Sequence, residues 1–281
     1  MLIEAVETRG EVSSTGYSVR IRDAWVTVPL AGNGQLTATA GIQPPIFGNQ
    51  SWFNDTVDGF YTVSPSFASA TVLSGLHGPR ELGVSATAQL QDGRGAVSAM
   101  LSNTGGTAGQ DNDGQISSLR AQYQVVEPLT VVLSGRAGAR NVDNTGSVIA
   151  GDLAVRLDHD VVDVLLEGAY GTEEIGIEVE STGEVLAKTF GSANAALGLS
   201  LPLSSEQLDT IRFTGRLSYH DPSLPTVDAD AWLLTGGGVM IRWAGTGEAR
   251  LLSGLGYEVR TPMDASLPVN HRAMVESSLQ F

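Results

Sequence analysis

Residues 80–90 set Leu82, Val84, Ala86, Ala88 and Leu90 against Glu81, Ser85, Thr87 and Gln89. A side chain that is apolar at every second position is the mark of a β-strand with one apolar and one polar face. The same period governs 129–140, where Leu129, Val131, Leu133, Ala137 and Ala139 oppose Arg136 and Arg140. It governs 207–219, with Ile211, Phe213, Leu217 and Tyr219 against Thr210, Arg212, Thr214, Arg216 and Ser218. It governs 247–260, with Ala249, Leu251, Leu255, Tyr257 and Val259 against Glu248, Arg250, Glu258 and Arg260. The final segment alternates His271, Ala273, Val275, Ser277, Leu279 and Phe281 with Arg272, Met274, Glu276, Ser278 and Gln280. Similar runs fall near 15–30, 34–43, 94–103, 115–126, 147–158, 161–171, 185–201 and 231–243, and a weaker one covers 1–10. Helical periods do not persist. The pattern predicts an all-β chain of roughly fourteen strands, twelve to sixteen allowed, in a single domain spanning 1–281.

The connections add a second rhythm. Tight links at Ala31–Gly34, Gln91–Arg94, Glu127-Pro128, Asp158–Asp160, Pro202–Glu206 and Ala244–Thr246 alternate with longer ones near 44–79, 104–114, 141–146, 172–184, 220–230 and 261–269. Transmembrane antiparallel up-and-down β-barrels alternate in this way, with short turns on one side of the membrane and long loops on the other. A strand of ~10 residues rising ~3.3 Å each and tilted ~40° spans about 25 Å, the height of their apolar band. An even strand count puts both termini on the short-turn, periplasmic side. A soluble β-sandwich or β-solenoid accounts equally well for the period and less well for the loop rhythm and the long strands. Aromatics make up 6% of the chain, few for two aromatic girdles, but Tyr123, Tyr170, Tyr219, Trp243, Tyr257 and Phe281 fall at predicted strand ends.

Composition narrows the field. No run approaches the ~20 apolar residues that a spanning helix needs. The formal charge of −15 argues against nucleic acid as a partner. The start, Met1-Leu2-Ile3-Glu4, has neither a basic n-region nor an apolar h-region. A cytoplasmic protein begins this way, and so does an exported chain whose signal has been removed.

Several stretches resemble known proteins. The alternating C-terminal segment closed by Phe281 resembles the last strand of bacterial outer-membrane β-barrels, where the terminal aromatic is read by the barrel-assembly machinery. Tyr17-Ser18-Val19-Arg20-Ile21-Arg22-Asp23-Ala24-Trp25-Val26, Leu36–Gly48, Arg80-Glu81-Leu82-Gly83-Val84 and Ala99–Asn103 resemble the early hairpins of bacterial porins. The similarity is closest to the phosphate-selective porin O and P group. It implies an outer-membrane porin, a mature chain without its signal peptide, contacts with outer-membrane lipid and lipopolysaccharide, and passage of ions or small hydrophilic solutes. The chain departs from that group in being shorter and in holding a single Lys, so phosphate selectivity does not carry over. Homo-oligomerisation stays open.

Fifteen of the sixteen basic residues are Arg. Arg120, Arg136, Arg140, Arg156, Arg212, Arg216, Arg242, Arg250, Arg260 and Arg272 share the polar phase of their strands, as does Lys188. An Arg facing lipid at mid-membrane costs ~2–4 kcal/mol, so this phase is expected to face the lumen. One reading is an Arg-lined pore in which Arg120, Arg136, Arg140, Arg156, Lys188, Arg212, Arg216, Arg242 and Arg250 set ion preference. The other is that these residues pair with strand acids such as Asp152, Asp163, Glu167 and Glu258 and only hold the barrel round. Other acids, among them Glu173, Glu174, Glu178 and Asp221, are expected in long loops. The 44–79 loop is too long for a plain connector. Folded inward, it brings Asp55 and Asp58 to face the Arg wall; folded outward, it packs on its own aromatics.

Enzymatic readings are poor. The four histidines are His77, His159, His220 and His271; His159 lies in a short turn expected on the periplasmic side, and His220 with Asp221, Asp228 and Asp230 is the one His/acid cluster expected at the outer rim. Without Cys there is no thiolate metal site, and no phosphate-binding glycine loop is present, so no cofactor is expected. The main rival function is a non-conducting barrel acting as scaffold or adhesin through its acidic loops.

Overall fold

The computed structural model describes residues 2–13, 16–31, 34–43, 46–48, 81–90, 93–103, 114–139, 147–178, 185–203, 205, 207–221, 231–243 and 250–280, with backbone alone for 2–24, 173–178, 185–188, 250, 252, 272, 274 and 276–280. Fourteen strands follow one another: β1 Leu2–Ser13, β2 Gly16–Pro29, β3 Leu36–Gln43, β4 Glu81–Gln89, β5 Gly95–Asn103, β6 Gln115–Val126 and β7 Leu129–Ala139, then β8 Ser147–Asp158, β9 Val162–Glu178, β10 Val185–Pro202, β11 Leu208–Asp221, β12 Trp232–Trp243, β13 Arg250–Pro262 and β14 Asn270–Gln280. They form one sheet in which each strand pairs with the next in sequence, and every pairing is antiparallel. The architecture is a transmembrane up-and-down β-barrel.

The two faces are inverted relative to a water-soluble sheet. Leu133, Ile149 and Leu255 are each about 60% exposed, as expected of a surface solvated by hydrocarbon. Their neighbours of opposite phase are covered and largely polar: Ser134, Arg136, Asp152, Asn194, Arg216, Ser218 and Glu258. The sheet curls toward this polar side. Laid flat, β4 and β7 would stand three spacings of ~4.8 Å apart, about 14 Å. Yet Glu81 at the start of β4 is ion-paired with Arg136 on β7.

The ends of the strands differ as the loop rhythm predicts, with two departures. The β1–β2 hairpin is tight, with Ser13 opposite Gly16, although it lies at the long-loop end. The loop expected over 172–184 is shorter, because β9 runs to Glu178 and β10 resumes at Val185, with Glu173 opposite Lys188 and Glu174 opposite Ala187. Glu173, Glu174 and Glu178 are therefore strand residues. Their acidity suggested a loop, but charged side chains are compatible with a ribbon standing above the apolar band. At 17 and 18 residues rising ~3.3 Å each, β9 and β10 are far longer than the ~25 Å band requires. Asp221, also expected in a loop, closes β11 and is buried. Tyr170 and Tyr257 lie inside their strands rather than at the ends, and both are exposed, as are Tyr123 and Trp243 near the short turns. In the β13–β14 connection the Ser266 backbone N–H donates to Asp264 Oδ1 at 2.8 Å and holds that carboxyl below its ordinary range.

The facing assignment is testable on β11. Leu217 is half exposed on the apolar face, while Thr214 points inward between Gly198 and Gly238 of the adjacent strands. Leu217→Arg is expected to cost ~2–4 kcal/mol near the bilayer midplane, and Thr214→Arg far less. Urea unfolding in phospholipid bilayers measures both; equal losses would mean that the Leu217 face is not in lipid.

Candidate functional site: the inner wall

Period two and in-register pairing place residues of equal phase side by side. Arg120 on β6 lies opposite Ser134 on β7, which lies opposite Asp152 on β8. Glu167 on β9 faces Asn194 on β10, and Asn194 faces Ser218 on β11. Arg216 on β11 faces Gly236 on β12, and Gly236 faces Glu258 on β13. These rows make a charged belt along β6–β13. Toward β3 the belt turns to hydroxyls, with Thr37 opposite Thr87, Thr87 opposite Ser98, and Ser98 opposite Arg120.

Three inward arginines, Arg136, Arg212 and Arg216, reach an acid beyond the neighbouring strand. Arg136 Nη2 donates to Glu81 Oε1, with both side chains fully buried, and Ser102 Oγ donates to Glu81 Oε2 at 2.6 Å. Arg212 on β11 and Asp163 on β9 meet at 2.7 Å, arching over β10. The strand between them carries Gly198 at that point. A Cβ there would come within 2.9 Å of Arg212 Nη2 and 3.1 Å of Asp163 Oδ2. Arg216 and Glu258 approach to 3.8 Å across Gly236 in the same manner. Arg216 Nε also donates to Ser218 Oγ at 2.8 Å, and Ser218 Oγ donates to Asn194 Oδ1 at 2.8 Å. Arg156 pairs with Asp158 two residues along β8, and Arg242 stands 3.6 Å from Asp209. The hydroxyl side is held by neutral bonds: Thr27–Thr39 and Thr87–Ser98 at 2.9 Å each, and Ser85 Oγ to Gln43 Oε1 at 2.8 Å.

Two apolar features interrupt the polar wall. Val132, Ala154, Leu165 and Ala196 form a fully covered inward cluster on β7–β10. Phe47 packs with Ala150 and Phe190 at 0% exposure, and the Gly48 N–H donates to Ser134 Oγ at 2.8 Å. The first described residues after β3 thus lie against the inner wall of β7–β10.

Of the sequence candidates, Arg120, Arg136, Arg156, Arg212, Arg216 and Arg242 share this wall. The backbones of Lys188 and Arg250 lie in β10 and β13, and their side chains are outside the description. Arg140, Asp55, Asp58 and Phe281 lie outside the described residues. Sequence reasoning placed Glu81 on the polar face without naming its partner, and missed Asp209 and the two straddled glycines as parts of the wall. Their only signal was polar or vacant phase, which does not name a partner two or three strands away. Among the described residues no group of three or more His, Asp and Glu side chains is placed to hold a metal ion. Arg136 Nε and Nη1 and Asp152 Oδ2 are buried with no hydrogen-bonding protein atom among the described residues. Groups of this kind are normally satisfied by water.

No protein-family model matches the chain, and no curated protein matches it in sequence. Solved structures do match in fold. One is a loop L8 deletion mutant of OmpT, an outer membrane protein of Vibrio cholerae, at 10% identity and a TM-score of 0.59 over 99% of this chain and 87% of that one. Another is a porin, at 14% identity and a TM-score of 0.53 over 98% of this chain and 90% of that one. The fold is that of outer-membrane barrels.

The buried Arg136–Glu81 pair generates a prediction about stability. Glu81→Gln leaves a covered guanidinium uncompensated and is expected to cost about 3–5 kcal/mol. Glu81→Gln combined with Arg136→Met should recover most of that loss. A double-mutant cycle by denaturant unfolding checks it, and additive losses would show that the two side chains do not interact.

Proposed function

We propose that the chain is a bacterial outer-membrane porin, a shortened relative of the phosphate-selective porin O and P type, that passes ions and small hydrophilic solutes by passive diffusion. The observation that carries this reading is the inverted sheet: an apolar outer face and an inner wall rich in Arg and carboxylate. A charged inner wall with hydrogen-bonding groups left for water fits an aqueous lumen. We assign the pore wall to Arg120, Arg136, Arg140, Arg156, Lys188, Arg212, Arg216, Arg242 and Arg250. The docking of Phe47 and Gly48 on the inner wall supports an inward fold of the 44–79 loop. Asp55 and Asp58 would then face the arginines. The reading includes no catalysis and no cofactor. Phe281 serves the assembly machinery, outer-membrane lipid and lipopolysaccharide surround the barrel, and association with further copies is compatible with the fold.

A second reading is a non-conducting barrel acting as scaffold or adhesin through its acidic loops. The close covering of Val132, Ala154 and Leu165 on the inner side favours it, since a wide channel would leave them wet. Planar-bilayer conductance of refolded protein separates the two: stepwise openings support the porin, and a silent bilayer with correctly folded protein supports the scaffold.

Orientation follows from the loop lengths. Cys introduced at Ser266, in the β13–β14 connection, is expected to react with a membrane-impermeant maleimide on intact cells. Cys at Ser205, between β10 and β11, is expected to be protected. The reverse pattern would invert the topology.

Two charge sets compete over selectivity. Acids in the outer loops are screened beyond about 8 Å at physiological salt. Inner-wall charge acts in a confined space with low-dielectric walls, where fields are focused. We therefore expect mild anion preference or near-neutrality despite the net −15. Changing Arg136, Arg140, Arg212 and Arg216 together to Gln should shift the reversal potential toward cations in a salt gradient. Changing Asp55 and Asp58 to Asn should shift it the other way. An unmoved potential in a conducting quadruple variant would remove the arginines from the conduction path.

A further inference from the structure

Arg136, Arg156, Arg212, Arg216 and Arg242 of the inner wall each stand within ion-pair distance of a carboxylate. Arg260, near the long-loop end of β13, stands in no such pair among the described residues, and its guanidinium donates no hydrogen bond to any of them. It shares the inward phase of Glu258 and lies opposite Leu234 of β12. Its guanidinium carbon instead sits 4.1 Å from the centroid of the Trp232 ring, over its face. We propose that Arg260, held on Trp232, is a binding site for small monocarboxylate anions at the long-loop mouth of the barrel.

The platform is built and the cation on it is open. Trp232 is buried and is met edge-on by the buried His220 ring, with 5.4 Å between centroids. A covered ring braced by a second one is a fixed support, so the Arg260 side chain loses little further freedom when it takes a ligand. Arg260 itself is exposed. Attraction to the ring occupies the face of the guanidinium, while its N–H groups lie in the plane and point past the ring. Two parallel N–H groups of that fork match the two oxygens of a carboxylate. Chloride offers a single centre and does not match the fork. The flank is apolar, with Leu234 across the ladder and Trp232 beneath. One charge on a short apolar chain fits that flank better than a phosphate dianion, whose second charge these side chains do not compensate. Glu258, the next inward residue of β13, approaches Arg216 to 3.8 Å and is partnered there.

The proposal rests on the porin reading in one respect, that the inner face is wet at this end, and needs no conduction through the barrel. Fluorine NMR relaxation of trifluoropropionate, added to the full refolded chain in detergent micelles, tests it and suits weak, fast binding. Unlabelled propionate is expected to displace the probe at a concentration about tenfold below that of chloride or inorganic phosphate, and propylammonium is expected not to displace it. Arg260→Gln should weaken binding about tenfold or more, the size of a lost hydrogen bond between charged groups. Arg260→Lys keeps the charge without the planar fork and should fall between the two. Both substitutions are at an exposed position, and circular dichroism should show unchanged strand content. No binding of the probe, wild-type affinity in Arg260→Gln, or chloride or phosphate competing as well as propionate overturns the proposal. Wild-type affinity in Arg260→Lys does so as well, since it would reduce the site to a point charge. Because the measurement requires no ion flow, such a failure is distinguishable from a silent bilayer, which would count against the porin alone.

Discussion

A wall one sheet thick, with hydrocarbon outside, must satisfy every backbone N–H and C=O within itself. Antiparallel pairing of each strand with the next meets that demand for β2–β13, which are paired on both edges, and the other features follow from it. Once register is fixed by the ladder, side-chain phase is fixed as well. A one-residue slip in β11 would send Leu217 inward and Arg216 into lipid. The apolar exterior and polar interior are therefore two consequences of one pairing scheme.

On the inner side the wall faces a different problem. Charges lifted out of bulk water need partners, and nearest neighbours on a strand or across a ladder are often of the wrong kind. The chain solves this by reaching over an intervening strand. Gly198 lets Arg212 meet Asp163, Gly236 lets Arg216 approach Glu258, and the small Ser102 and Ser118 lie between Glu81 and Arg136. Each arch ties strands that are not neighbours, which resists flattening of the curl. Arginine suits this role, because its long side chain and planar donor fork can bridge such a span. A ring built this way is partly self-neutralised, so its field depends on which pairs are tight.

The inner wall is also uneven around its circumference. Hydroxyls dominate β2–β5, charges dominate β6–β13, and an apolar patch with Phe47 lies over β7–β10. The unevenness makes an electrostatic gradient across the lumen a property of strand composition, with or without a loop.

Read alone, the alternation of Leu82, Val84 and Ala86 with Glu81, Ser85 and Thr87, repeated along the chain, determined the strands, their approximate number and the two faces. These are local properties: side-chain phase is set by a period of two, and turns are marked by short polar links. Strand ends were less legible where acids continued a ladder, as in Glu173–Glu178, because charge signals water rather than loop once a strand leaves the membrane. Only the tertiary structure decided that Arg136 meets Glu81, that Gly198 and Gly236 leave room for bridging ion pairs, and that Phe47 lies on the inner wall. Those contacts depend on curvature and register summed over several strands, and no local pattern of residues encodes either.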